Sequence, residues 1–371
     1  MSHFSVTNTD PGCAARRGVL TTAHGAVQTP AFMPVGTAGT VKGLTPEQLE
    51  ATGAGMILAN TYHLMLRPGV EVIEKLGSLH RFMAWNQPIL TDSGGYQVFS
   101  LSALTRINDE GVEFASHVDG ARVHLNAESA TDIQSRLGAD VIMCFDECPP
   151  YPAEPGLLET AVARTIAWAR RCKDAHQRPG QLLFGIVQGG IDLALREHCA
   201  QEIVGIGFDG YAIGGLSVGE GHEHMARTVE HTAALLPADR PRYLMGVGLP
   251  IDIIAAVRAG VDMFDCVLPT RNGRNALAFT AQGPLRLRNS IHADATAPVE
   301  AGCDCYGCRH FTRGAIRHFF NCGEMLGPIL LSLHNLRFYQ RLMSDIREHI
   351  ERGDFADWAD GQLARHARPI S

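Results

Sequence analysis

The sequence predicts an α/β fold, an irregular (β/α)8 TIM barrel with a small extra segment near its C-terminus. Three observations predict it. Eight short apolar runs recur along the 371 residues. Amphipathic helical stretches separate several of them, and continuously apolar strands alternating with such helices mark a parallel sheet covered on both faces. Eight strands favour closure into a barrel over an open sheet. Third, acidic, amide and glycine residues collect at one end of the runs, where a barrel forms its functional mouth.

The elements follow in order. TPAFMPV (29–35), GMILAN (55–60) and QPILTD (87–92) are the first three strand candidates. The segment from Val98 to Val123 fits no β/α unit and reads as an insertion with a hairpin. NAESATDIQSRLG (126–138) has helical spacing, and ADVIMCFDE (139–147) is the fourth strand. A long helix over 154–176 leads to LLFGIVQGG (182–190). Helices over 192–207, 221–237 and 250–260 alternate with GYAIGGLSVG (210–219), RYLMGVG (242–248) and VDMFDCVL (261–268). A last amphipathic helix is expected over 328–353, with Gly353 placed to end it.

Composition narrows the class. An apolar content of 45% is that of an ordinary globular protein. The first residues lack the basic and apolar regions of a secretory leader. No apolar run reaches bilayer length, so no membrane partner is expected. Ten cysteines lack the density of a disulfide scaffold, which points to a reducing cytoplasm. The net charge of −7 argues weakly against nucleic acid. Its distribution argues otherwise. Arg271, Arg274, Arg286, Arg288, Arg309, Arg313 and Arg317 face only Asp294, Glu300 and Asp304 between 271 and 317. Such a cluster is either a solvated surface or a phosphate-binding face.

Cys303-x-Cys305-x2-Cys308 is a strong zinc signal in a reducing compartment. Cys322, His310, His318 and His334 are all candidates for the fourth ligand. His334 lies in the 328–353 helix, where ligation would clip that helix to the cysteine loop. Three thiolates and a fourth protein ligand make a closed site, so one Zn2+ with a structural role is expected. The chain then reads as one barrel domain over 1–371 with an inserted zinc-binding subdomain at about 283–345.

At the strand ends stand Asp92, Asp146, Gln188-Gly189-Gly190, Gly214-Gly215, Gly246, Gly248 and Asp265. One Asp there is commonly a helix cap. Three, with an amide and several glycines, are harder to assign to capping. An Asp inside the apolar strand 261–268 must be hydrogen-bonded, paired or used, because burying it alone is costly.

Together, TPAFMPVGTAGTVKGLTP, NTYHLMLRPG, LTDSGGYQVFSL, FDECPPYP, FGIVQGG, GGLSVGE, MGVG, FDCVLPTRNGRN and the CDCYGC…H pattern resemble the tRNA-guanine transglycosylases (queuine tRNA-ribosyltransferases) of bacterial type, over nearly the whole chain. The resemblance implies an enzyme of queuosine biosynthesis. Such an enzyme exchanges guanine at the wobble position of GUN-anticodon tRNAs for 7-aminomethyl-7-deazaguanine, by double displacement through a covalent enzyme–RNA intermediate. It implies a cytoplasmic homodimer whose partners are the tRNA anticodon loop and a deazaguanine base.

By the same resemblance Asp265 is the nucleophile and Asp92 the general acid/base. Ser93, Gly94, Gly95, Tyr96, Asp146, Cys148, Gln188, Gly214, Gly215, Leu216 and Met245 bind the base. Tyr96 stacks on it, Asp146 reads its amine edge, and Gln188 with the Gly215 N–H holds O6. Gly246, Val247, Gly248, Leu249, Pro250, Ile251 and Asp252 contact RNA, as does the arginine loop Thr270, Arg271, Asn272, Gly273 and Arg274. Val35, Leu58 and Asn60 lie near the flanking nucleotide. Cys148 and Val218 match the bacterial pattern, and a Val side chain would narrow the pocket against bulky queuine. The chain ends soon after its last helix, which argues against the archaeal reaction. The alternatives are a queuine-inserting eukaryotic-type enzyme, a non-catalytic tRNA-binding paralogue subunit, and a metal-dependent hydrolase barrel. Retention of both acids disfavours the paralogue, and the lack of His ligands at strand ends disfavours the hydrolase.

Overall fold

A computed structural model describes residues 3–101 and 105–366. Eight parallel strands form a barrel: β1 (Ala31–Pro34), β2 (Ile57–Ala59), β3 (Ile89–Thr91), β4 (Val141–Met143), β5 (Leu182–Val187), β6 (Gly210–Ile213), β7 (Arg242–Leu244) and β8 (Met263–Cys266). From β2 to β8 each strand pairs with the next, and β8 pairs with β1. A parallel bridge between Val35 and Leu58, with the Gly36 N–H donating to the Leu58 carbonyl at 2.6 Å, joins β1 to β2 and closes the ring. The strands are shorter than the apolar runs, so Asp92, Gln188 and Gly214 sit just past strand ends.

Alternation places the functional row. Met33, Leu90, Val141, Phe184, Ile186, Tyr243 and Met263 form one interior cluster. Leu183, Val187, Leu244 and Phe264 point the other way, into the layer beneath the helices. Side chains in a strand alternate with period two, so Asp265 continues the inward row of Met263, one layer nearer the mouth. Asp262, at the opposite end of β8, is paired. It lies 2.6 Å from Arg16, with the Asp262 side chain fully excluded from solvent, and it accepts the Arg242 N–H at 2.7 Å.

A three-stranded antiparallel sheet (Phe4–Thr9, Arg16–Thr22, Gly25–Thr29) precedes the barrel and was not expected. Its Phe4, Leu20 and Val27 join the interior cluster and so plug the end of the barrel remote from the mouth. The Val98–Val123 insertion is more than a hairpin. It includes the end of a helix, Gly95–Leu101, and most of a three-stranded antiparallel sheet, Thr105–Asn108, Gly111–Ala115 and Arg122–Leu125. Residues 102–104 of the expected insertion lie outside the described residues.

The covering helices match their periodicity. Ala127–Leu137 starts at an Asn126–Ser129 capping box and ends at Gly138 with φ of 81°, the left-handed conformation that glycine allows. Pro155–Ala175, Leu193–Ile206, His222–Leu235 and Pro250–Arg258 follow. The segment after β8 needs a correction: Thr270–Arg274 is no loop but part of a helix, Leu268–Arg274. One glycine and one asparagine among seven residues give poor intrinsic propensity. Packing overrides it, because Gly273 lies so close to the final long helix that a Cβ would stand 2.7 Å from the Ser332 nitrogen.

That long helix runs Leu326–Arg352 and ends at Gly353 with φ of 74°. Its start helps to form a small separate apolar cluster with Ala276, Ala278, Leu287, Ile316 and Phe320. Its later turns bury Leu336, Tyr339, Met343 and Ile346 in the layer around the barrel. A last helix, Phe355–His366, packs on Pro250–Arg258. Among the described residues no helix is long and apolar enough to cross a membrane.

Candidate active site and metal centre

Asp265 stands near the mouth end of β8. Its Oδ1 accepts the Tyr243 O–H at 2.6 Å and the Gly246 N–H at 2.8 Å. Among the described residues its Oδ2 accepts no hydrogen bond. Burial raises its pKa, against the pull of those two donors. The site thus orients one oxygen and leaves the other free.

Asp92 follows β3 directly. Its Oδ1 accepts the Thr61 N–H at 2.8 Å, and its Oδ2 accepts from the amides of Asn60 and, at 2.8 Å, Gln97. Burial, with a smaller contribution from the charge of Asp265, pushes its pKa up to about 6. Tyr243 is fully buried on β7. Desolvation and then the charges of Asp265 and Asp92 hold its phenol well above the usual range. The two acids, brought from β3 and β8, are near enough for the charge of Asp265 to act on Asp92 and for both to act on Tyr243.

Asp146 forms the third acidic point. Gln188 Nε2 donates to its Oδ2 at 2.7 Å and the Ser93 hydroxyl to its Oδ1 at 3.3 Å. Burial pushes it up to about 6. Close approach explains two glycines here. A Cβ on Gly95 would lie 2.8 Å from the Asp146 carbonyl oxygen, and one on Gly215, at φ of 67°, would lie 2.2 Å from Gln188 Oε1. That Oε1 is buried without a partner, a polar atom left for a ligand. The Cys148 thiol is pushed to about 12 by burial and then by Asp146, so it stays neutral. Gly94 takes φ of 83° and backs onto Tyr62, while Gly214 backs onto Ile186 and Gln188. Leu216 is buried in the layer around the barrel, Met245 packs at the edge of the interior cluster, and Tyr96 is 52% exposed in the first turn of its helix.

Several residues of this site were not legible in the sequence. Tyr243, Thr61 and Gln97 hold the two acids, and Glu220 collects the N–H groups of Ser217, Val218 and Gly219. Tyr243 had one available signal, its inward register on RYLMGVG. Asn60, expected beside the flanking nucleotide, donates to Asp92.

The expected RNA-contacting residues divide by burial. Gly246, Leu249 and Arg271 are exposed, while Ile251, Asp252, Asn272 and Arg274 are half-buried. Val247, Gly248, Pro250, Thr270 and Gly273 are buried, and the Tyr339 hydroxyl donates to the Gly248 carbonyl. Asp252 pairs with His222. Arg274 has a buried Nη1 without a partner. Burial, and then the charge of Arg271, lowers its pKa. Two adjacent guanidiniums of this kind suit an anion. Arg313 is engaged elsewhere, donating to the Pro298 and Val299 carbonyls, as is Arg317 to that of Asn289.

The cysteine cluster selects among the four candidate ligands. His334 Nδ1 lies 3.6, 3.7 and 3.4 Å from the sulfurs of Cys303, Cys305 and Cys308. A tetrahedral Zn2+ with ordinary Zn–S and Zn–N bonds gives S···N edges of about 3.6 Å, so the set fits. His334 Nε2 points at the Phe279 carbonyl at 2.9 Å, which leaves Nδ1 free to ligate. Cys322 and His318 instead face each other on an exposed helix end. Replacing Cys305 by Ser is expected to lower bound zinc and the melting temperature together, since metal binding contributes to folding. Metal analysis and calorimetry check this, and unchanged melting of a zinc-free variant would count against a structural metal.

Residues 10–368 match the family described as Queuine tRNA-ribosyltransferase. The chain belongs to the queuine tRNA-ribosyltransferase family. It is 58% identical over 345 residues to the Queuine tRNA-ribosyltransferase of Nitrosomonas europaea, covering 93% of each chain. It is 57% identical to that of Nitrosomonas eutropha (93% of this chain, 96% of the relative) and 53% to that of Thiobacillus denitrificans (96% of each).

Proposed function

We propose that this chain is a tRNA-guanine transglycosylase of queuosine biosynthesis, replacing the wobble guanine of GUN-anticodon tRNAs with 7-aminomethyl-7-deazaguanine. The observation that carries the reading is the pair of acids, half-buried Asp265 with a free oxygen and buried Asp92 with a pKa near 6.

In this reading Asp265 Oδ2 bonds to C1′ of the ribose as the C1′–N9 bond to guanine breaks. Tyr243 and Gly246 hold Oδ1 and share its charge. Asp92 gives its proton to the departing guanine, and a pKa near neutrality suits a group that must both give and take one. The incoming base loses a proton to Asp92 and attacks C1′, and the ester at Asp265 breaks. Two inversions at C1′ retain configuration, as in retaining glycosidases. Asp146 accepts from the amine edge, and Gln188 donates its second Nε2 hydrogen to O6, with Tyr96 over the base plane. A wrong edge would leave buried groups unpaired and be rejected strongly. Arg271 and Arg274 hold backbone phosphate, the zinc-bearing segment at about 283–345 forms a subdomain, and the enzyme acts as a cytoplasmic homodimer.

The test is mass spectrometry of tRNA fragments after incubation with pure protein and each candidate base. Incorporation of the aminomethyl base is expected, with queuine poorly used. Val218 is half-buried and lines a cavity with Tyr151, Leu158, Gln188 and Gly215, so Val218→Gly should improve queuine use. Binding of tRNA with no incorporation of any base would replace this reading with the non-catalytic paralogue.

A further inference from the structure

Arg196 lies in the second turn of the helix Leu193–Ile206 and is fully buried. Three features make this position unfavourable. Among the described residues it makes no ion pair, and a buried charge without a partner is costly. Its Nη2 is buried without any hydrogen bond. It is also a cation near a helix N-terminus, where the backbone dipole opposes positive charge. Broken local rules of this kind concentrate at functional sites.

What Arg196 does touch is specific. Its Nε donates to the Gly190 carbonyl at 2.9 Å and its Nη1 to the Val187 carbonyl at 2.8 Å. Those two carbonyls bracket Gln188 and Gly189. Gly189 has φ of 139°, and a Cβ there would lie 2.9 Å from the Arg196 nitrogen, so the turn is pressed directly onto the helix that carries the arginine. The Gln188 N–H meets the Cys199 sulfur one turn further along at 3.3 Å. Gln188 reaches Asp146 from this turn. Burial lowers the Arg196 pKa to about 10, so it remains a cation at neutral pH.

We propose that Arg196 is a positioning residue for base binding: its guanidinium braces both carbonyls of the Val187–Gly190 turn and so sets the angle at which Gln188 meets Asp146 and the base. The inference rests on the reading of Gln188 as a base ligand. A lysine cannot reproduce the two-pronged brace, because it lacks the planar fork.

The test measures guanine exchange into tRNA by Arg196→Gln, Arg196→Lys, Gln188→Ala and the Arg196→Gln/Gln188→Ala pair, with melting temperatures recorded alongside. Arg196→Gln should raise KM for guanine about tenfold while leaving KM for tRNA within twofold, with Arg196→Lys in between. In the Gln188→Ala background the same substitution should add less than twofold, because both changes act through one side chain. Full additivity, or an unchanged guanine KM in folded Arg196 variants, overturns the proposal. Failure of both single Arg196 variants to fold also overturns it, by assigning the residue to stability alone. An unchanged guanine KM in Gln188→Ala would instead remove the reading of Gln188 itself.

Discussion

Asp265→Asn should lower exchange by about 10⁴-fold or more, the scale on which loss of a covalent nucleophile is felt, and should eliminate any covalent enzyme–RNA species. The fold should survive. Asn keeps an oxygen to accept from the Tyr243 hydroxyl and the Gly246 N–H, and the position that becomes an amide is the one without a hydrogen bond. Replacing this half-buried carboxylate also removes the desolvation that raises its pKa. Denaturing gels of enzyme mixed with tRNA read the adduct, and labelled guanine reads turnover. A persistent adduct in this variant would place the ester on another residue.

Asp92→Asn should lower exchange by about 10²- to 10⁴-fold, the range of general acid–base catalysis, and should also change how stability depends on pH. The sign follows from the raised pKa. Below about pH 4 the carboxyl is neutral in both the folded and unfolded chain and carries no penalty. Between the unfolded value of 3.8 and the folded value of about 6, the unfolded chain has lost the proton and the fold retains it. Stability then falls as pH rises, by about 1.4 kcal/mol per unit, reaching about 3 kcal/mol above pH 6. The variant lacks this loss, so its melting temperature should gain on wild type from pH 4 to pH 7. Gln97 can turn its unpaired Oε1 to accept from the new amide, and Asn60, which donates to the same oxygen, must turn its own amide likewise. A constant offset between the two proteins across that range would show that Asp92 is not the group with the raised pKa. The buried Asp146 is shifted the same way, so the site as a whole is maintained against stability, as expected where groups are held for chemistry.

The sequence by itself determined the barrel and the end of it that matters. Apolar periodicity, Asn126 and Gly138 at the ends of a helix, Gly353 after the last one, and acids just past strands are local signals, and local signals fix elements and their limits. The cysteine triplet was equally local, so three ligands could be read directly. Tertiary structure alone decided what required long-range register. It chose His334 over Cys322, His310 and His318, because only the packed helix brings its Nδ1 to the sulfurs. It brought Tyr243 onto Asp265 and Gln97 onto Asp92, and it turned Leu268–Arg274 into a helix through the contact of Gly273 with Ser332. It also revealed Arg196, which in an amphipathic stretch reads as one more surface cation. Residues that act by converging from distant strands leave no mark in spacing, since closure of the barrel, not the chain between them, sets their distance.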